Sequence, residues 1–182
     1  MKTLCLIVPK RFARLAGVLA LGAFLAAGIS LAQISSSTPK SSASGGIKRV
    51  HRLGLKPGDL LLESVCDFVH EHNIKDGAVL TGIGSLSECR IHWPAKAVYP
   101  PKDVFRTFKG ALEITGLQGI IADGEPHLHL NVAERGDGRA IGGHLEEGSK
   151  VLYLVEITLA EVDGTAMTRR PNEHGVKMLQ LK

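Results

Sequence analysis

Gly124-Glu125-Pro126-His127-Leu128-His129-Leu130-Asn131-Val132-Ala133-Glu134, then Arg135-Gly136-Asp137-Gly138, then Arg139-Ala140-Ile141-Gly142-Gly143-His144-Leu145, reads as two strands and a turn. Apolar and polar residues alternate on both sides of a Gly/Asp turn signal, which predicts an antiparallel hairpin with strands over Pro126 to Glu134 and Arg139 to His144. Successive strand side chains point to opposite faces, so His127 and His129 share one face. A turn about Gly136-Asp137 sets His129 opposite His144. A turn about Asp137-Gly138 sets His144 opposite Asn131, still on the histidine face. Only a loop of odd length would carry His144 to the other side. Three imidazoles on one patch of sheet are a metal-ligand set with room for a further, non-protein ligand. One His-x-His pair is more often just two solvated side chains; the third histidine at a matching register makes ligation the sharper reading.

Outward from the hairpin, the chain is rich in short apolar runs separated by glycine and proline. Ile47 to Leu55 is a first strand stopped at Lys56-Pro57-Gly58. Asp59 can cap a helix to about His72, with Leu61, Val65, Phe68 and Val69 on one face and His70 and His72 at its polar end. Ala78 onward is a short buried strand whose glycines mark a bulge or close backbone approach, and Glu88 to Trp93 is expected to fold back as the second strand of a hairpin. The same glycines could cradle a phosphate, but the P-loop lysine is missing and no helix follows. Pro94 to Lys102 reads as a surface loop. Phe105 to Ile121 is β-rich and broken at Lys109-Gly110, Gly116 and Gly119. Val151 to Val162 is an apolar, central strand, and Thr165 to Arg170 and Val176 to Leu181 close the chain. One early helix among many tightly turned strands predicts an α+β fold on a mainly antiparallel sheet.

At 182 residues and 44% apolar composition there is material for one domain with a substantial core. The net charge of +4 is localised. Lys2, Lys10, Arg11 and Arg14 lie in the first 32 residues, which hold no acid, and the other 18 Lys and Arg balance 18 Asp and Glu. No basic stripe is left to neutralise phosphates, so nucleic acid is not an expected partner. Those four cations precede an apolar run from Leu15 to Ala32 that ends in Ser30-Leu31-Ala32, the small-x-small pattern of a secretory signal peptide over residues 1–32. The protein is therefore expected in the periplasm or secreted, without stable membrane association after cleavage. An uncleaved N-terminal anchor is the alternative, weakened by Gly17, Gly22 and Gly28. Gln33 to Gly46 is Ser- and Gly-rich and reads as a flexible linker, with the domain over 47–182. Cys66 and Cys89 sit in apolar-patterned segments, which favours unpaired burial, and there is no Cys-x-x-Cys to suggest a thiolate-bound metal.

Several motifs now stand in order: a Gly58-Asp59 helix start, Thr81-Gly82-Ile83-Gly84-Ser85-Leu86-Ser87, Glu113-Ile114-x-Gly116-Leu117-x-Gly119, Pro126-His127-Leu128-His129, and Gly142-Gly143-His144-Leu145 followed by Val155-Glu156-Ile157. Together they resemble the plants-and-prokaryotes-conserved (PPC) domain over roughly Ile47 to Leu181. The resemblance implies a compact α+β domain that assembles into a homotrimer. It also implies that His127, His129 and His144 bind a metal, usually taken as zinc in prokaryotic members. Plant members associate with DNA through Arg-Gly-Arg-Pro segments; this chain has none, and its export signal departs from most of the family.

Three imidazoles and a water would form a Lewis-acidic centre, with Glu125, Glu134, Glu146 and Glu147 as sequence-local acid/base candidates. Asp123, Ser85 and Thr81 are candidates to orient the rings. His51, His92 and His174 belong to no ligand-spaced cluster and read as polar surface or core residues. Three functions follow: a non-enzymatic metal-binding module for a small ligand, a metal-dependent hydrolase or lyase, and a structural trimer that recruits another protein. The missing acid/base partner at fixed spacing favours the first.

Overall fold

The computed structural model describes residues 42–134, 136 and 139–182. The expected signal peptide, most of the expected linker, and Arg135, Asp137 and Gly138 of the hairpin turn lie outside the described residues.

Eight strands and one helix follow in the order β1 (Ile47–Leu55), α1 (Leu61–Glu71), β2 (Gly77–Pro94), β3 (Asp103–Ala122), β4 (Glu125–Glu134), β5 (Ala140–Leu145), β6 (Lys150–Val162), β7 (Met167–Pro171) and β8 (Lys177–Leu181). The main sheet runs β1-β6-β2-β3-β4-β5 with every pairing antiparallel, and β5 returns to pair with the end of β2. This is the expected α+β architecture. Strands β7 and β8 form a separate hairpin.

Alternation drives the packing. Leu128, Leu130 and Val132 of β4 are buried, which turns His127 and His129 to the opposite face. Leu61, Val65 and Val69 recur at helical spacing and bury one face of α1 against Leu86, Leu117, Leu145 and the rest of a single core. Cys89 is buried in it, and Cys89 and Cys66 are free thiols.

Two expectations need correction. Asp59 does not cap the helix: its carboxylate accepts the Lys56 N–H at 2.8 Å and closes the preceding turn. The helix starts after Leu60, and the Leu61 N–H donates instead to the Ser149 carbonyl at 2.8 Å. Nor do Ala78 to Trp93 form a hairpin. They are one 18-residue strand, and Asp103 to Ala122 is likewise one strand of 20 residues. The glycines bend these strands without ending them. At Gly84, φ is +139° and an added Cβ would lie 2.2 Å from the Leu154 carbonyl oxygen, so the two backbones meet where only glycine fits. Register shifts at Val79/Thr81, Gly84/Leu86 and Leu86/Glu88 turn β2 away from β6, freeing its last residues for β5.

Candidate metal centre

The β4–β5 ladder sets His129 opposite His144 and Ala133 opposite Ala140, the register of a turn about Gly136-Asp137. His127 lies two residues along on the same face. The ring centroids are 5.3 Å apart for His127–His129, 4.8 Å for His127–His144 and 5.5 Å for His129–His144. One ring nitrogen from each falls within 4.8 Å of the others. Tetrahedral zinc with nitrogen ligands at roughly 2.0–2.1 Å would space them roughly 3.4 Å apart, a closure that modest ring rotations supply.

Metal binding needs neutral imidazoles, and the site holds them neutral. Burial first, then the Arg169 cation and the other two rings, push His127 down to about 4. Burial also lowers His129 and His144, helped in both by charge on His92 and Arg169. The chemistry of the donor set thus fits a divalent transition metal: three unprotonated nitrogens converge on one point, and nearby cations discourage protons from occupying it.

A fourth histidine joins them. His92, expected to stand apart, is brought opposite His144 by the β2–β5 pairing, and the rings stack at 4.4 Å. Its Nδ1 lies 2.6 Å from Glu146 Oε1, and Glu146 in turn lies 4.0 Å from His144 Nε2. His92, His144 and Glu146 are a second group with metal-compatible spacing, sharing His144 with the first. Glu146 is fixed through its backbone: its N–H donates to the Arg90 carbonyl at 2.9 Å, and the buried Ser149 hydroxyl accepts the Arg90 N–H at 2.9 Å. From the other side Glu63 of α1 accepts the Gly148 N–H at 2.7 Å. Helix, turn and β2 together aim Glu146 at the histidines.

Of the other acid candidates, Glu125 pairs with Lys177 and lies 3.9 Å from Arg169, at the edge of the site. Glu134 ends β4 beyond the histidines, and Glu147 is exposed. The orienting candidates do not join the cluster. Asp123 accepts from Lys182 at 2.6 Å, Ser85 pairs in register with Glu113, and Thr81 pairs with Thr158 and is exposed. His51 packs edge-on against Phe68 and His72 instead, and His174 is an exposed neighbour of Tyr99. The one signal for His92 in the sequence was alternation: buried Ile91 turns it outward, but nothing local says toward what.

Residues 42–163 match the family described as the Plants and Prokaryotes Conserved (PCC) domain. Among curated proteins the chain is similar to the bifunctional protein GlmU of Synechococcus sp. (strain JA-3-3Ab), 32% identical over 141 residues, which are 74% of this chain and 22% of that one. The chain thus spans about a fifth of the length of the curated relatives it matches. Among solved structures it is similar to a plant- and prokaryote-conserved protein of Pyrococcus horikoshii, at TM-score 0.64 and 28% identity, covering 78% of this chain and 96% of that one. It also shares its fold with an Archaeoglobus fulgidus protein described as metal-containing, at TM-score 0.68 and 21% identity, covering 78% and 99%.

Proposed function

This chain belongs to the Plants and Prokaryotes Conserved domain family, and from that premise we propose that it is an exported metal-binding module whose His127, His129 and His144 hold zinc or another divalent transition metal. The observation that carries the reading is the convergence of three neutral ring nitrogens from two strands. The description of the A. fulgidus protein as metal-containing supports it from outside. When bound, the metal would supply a Lewis-acidic centre with a position open to a small ligand. The imidazoles fix its place, and the rigid β4–β5 ladder keeps them in register. Export rests on the signal-like residues 1–32, and the absence of a basic stripe argues against a DNA partner.

A homotrimer belongs to the same proposal. Leu80 and Ile83 of β2 and Tyr153 and Leu154 of β6 are all exposed, and Ile83 and Leu154 lie on neighbouring strands. Large apolar side chains at the surface of a paired sheet suit burial against another copy.

A second reading, hydrolysis or elimination on a small substrate, is favoured by the His92–Glu146 pair beside His144. In that role Glu146 holds the His92 ring in place and His92 offers its other nitrogen to the cleft. Metal analysis of protein purified without a histidine tag tests the first reading: about one divalent ion per chain is expected, and none would remove it. Turnover of ester or phosphoester substrates that is lost in His92→Ala with metal retained would promote the second.

A further inference from the structure

A cleft of about 780 Å³ opens beside the histidines, lined by His127 and His144, by the cations Arg169, Lys177 and Lys96, and by the carboxylates of Asp103 and Glu125. Its size suits a small-molecule ligand. The cations come from two places: Lys96 from the loop after β2, beside Tyr99, and Arg169 and Lys177 from the β7–β8 hairpin. That hairpin lies beyond the span 42–163 that matches the family. It is tethered to the main sheet by the Met167 N–H to Asp76 at 3.0 Å, by Lys182 to Asp123 at 2.6 Å, and by Lys177 to Glu125.

Arg169 keeps donors available to a ligand. Its side chain is 11% exposed, yet its one hydrogen bond among the described residues is a long one, 3.4 Å to the Lys177 carbonyl. The nearest carboxylate, Glu125, is 3.9 Å away and already holds Lys177. A guanidinium carries five donors in a planar fork. The donors it does not spend inside the protein are reached by solvent at the cleft, where an anionic acceptor can replace water. A metal dication on the nearby histidines would strengthen the case for an anion, because two positive centres would then face one opening.

We infer that the cleft takes a small oxyanion, a carboxylate or a phosphate, that spans the open position at the histidines and the Arg169 guanidinium. The inference rests on the metal-binding reading above and names the ligand class for that site. One anionic group answers both positive centres and supplies the planar acceptor pair that an arginine fork matches. Lys96 and Tyr99 then bound the rest of the ligand.

The test is calorimetric titration of the zinc-loaded full chain, purified without a histidine tag, with inorganic phosphate and with succinate, and glycerol as a neutral control. Zinc stoichiometry is measured first, so that loss of the metal is read separately from loss of the anion. One of the two anions should bind while glycerol does not, and which one binds identifies the headgroup. Arg169→Gln should keep zinc and lose roughly tenfold or more in anion affinity, with Arg169→Lys between the two because it keeps the charge without the fork. By reciprocity, the anion should raise zinc affinity in the wild type by the same factor that zinc raises anion affinity, a readout that needs no variant. Zinc-loaded protein that binds neither anion, or an Arg169→Gln protein that binds as the wild type does, overturns the inference and leaves the metal reading standing. A wild type without zinc overturns both.

Discussion

His127 is the most informative single residue in the chain. Its neighbours on the strand are packed inward, its ring is half-buried, and Arg169 stands close enough to oppose its protonation. His127→Ala should lower zinc affinity by on the order of 100-fold or more, because losing a group that only hydrogen-bonds a ligand already costs roughly 10–100-fold and a ligand matters more; competition with a chelating dye reads the change. The fold should survive, since the core lies on the other side of β4. The ring also makes a prediction about pH. An unfolded histidine titrates near 6.5, while folding lowers His127 to about 4, so the unfolded chain binds the extra proton between those values. In metal-free protein this contribution is complete above about pH 6.5 and disappears as the pH falls to about 4. His129 and His144 shift in the same direction. Urea midpoints of the metal-free protein should therefore fall over that window, and His127→Gln should flatten the decline. A wild-type midpoint constant from 6.5 to 4 would contradict the burial of these rings.

At the scale of elements, the site depends on how β2 is bent and on what docks against its end. Ser149 is the joint: fully buried, it accepts the Arg90 N–H, and the turn it belongs to also receives the start of α1. Ser149→Ala should destabilise the protein by about 1 kcal/mol, the typical net worth of the part-buried hydrogen bond lost from the Arg90 N–H, and thermal unfolding would show it. Val65→Ala, in the buried stripe of α1, should cost about 2–3 kcal/mol by transfer and cavity effects, with metal content unchanged. A drop in zinc stoichiometry in that variant would mean that the helix shapes the histidine patch more directly than its contacts indicate. The elements also mark where the sequence was legible. Period-two alternation in β4 and the Gly/Asp turn put His127, His129 and His144 on one face before any coordinates, because hairpin register is a local matter. His92 has no partner legible in the sequence, because its neighbour across the ladder is 52 positions away and the β2–β5 pairing exists only once β2 has passed three register shifts. The expected bulge or close backbone approach at the glycines is there, with Gly82 packed on Leu117 and Gly84 on Leu154; the expected separate hairpin strand over Glu88 to Trp93 is what conceals that path.

For the whole molecule, the exposed apolar residues of β2 and β6 argue for self-association. The full chain should sediment as a homotrimer, and Ile83→Glu combined with Leu154→Glu should shift it to monomer while the circular dichroism spectrum stays β-rich. Sedimentation of the wild type as a monomer at micromolar concentration would dismiss that part of the proposal. Ile83 and Tyr153 are 56% and 70% exposed on a single chain, more than a folded sheet gains from leaving them in water. The β7–β8 hairpin, beyond the matched span, adds Arg169 and Lys177 to the cleft beside the histidines, residues with no motif of their own.

The amino-acid order alone determined the fold class, the family resemblance, the apolar stripe of α1 and the convergence of three imidazoles, because each follows from a short-range period or a recognisable run of residues. Tertiary structure alone decided that Glu146 rather than its neighbour Glu147 faces the site, that His92 joins it, and that Arg169 lines the cleft. Each of those placements depends on strand pairings and packing between residues tens of positions apart, and a chain has no local pattern that encodes which distant backbone it will meet.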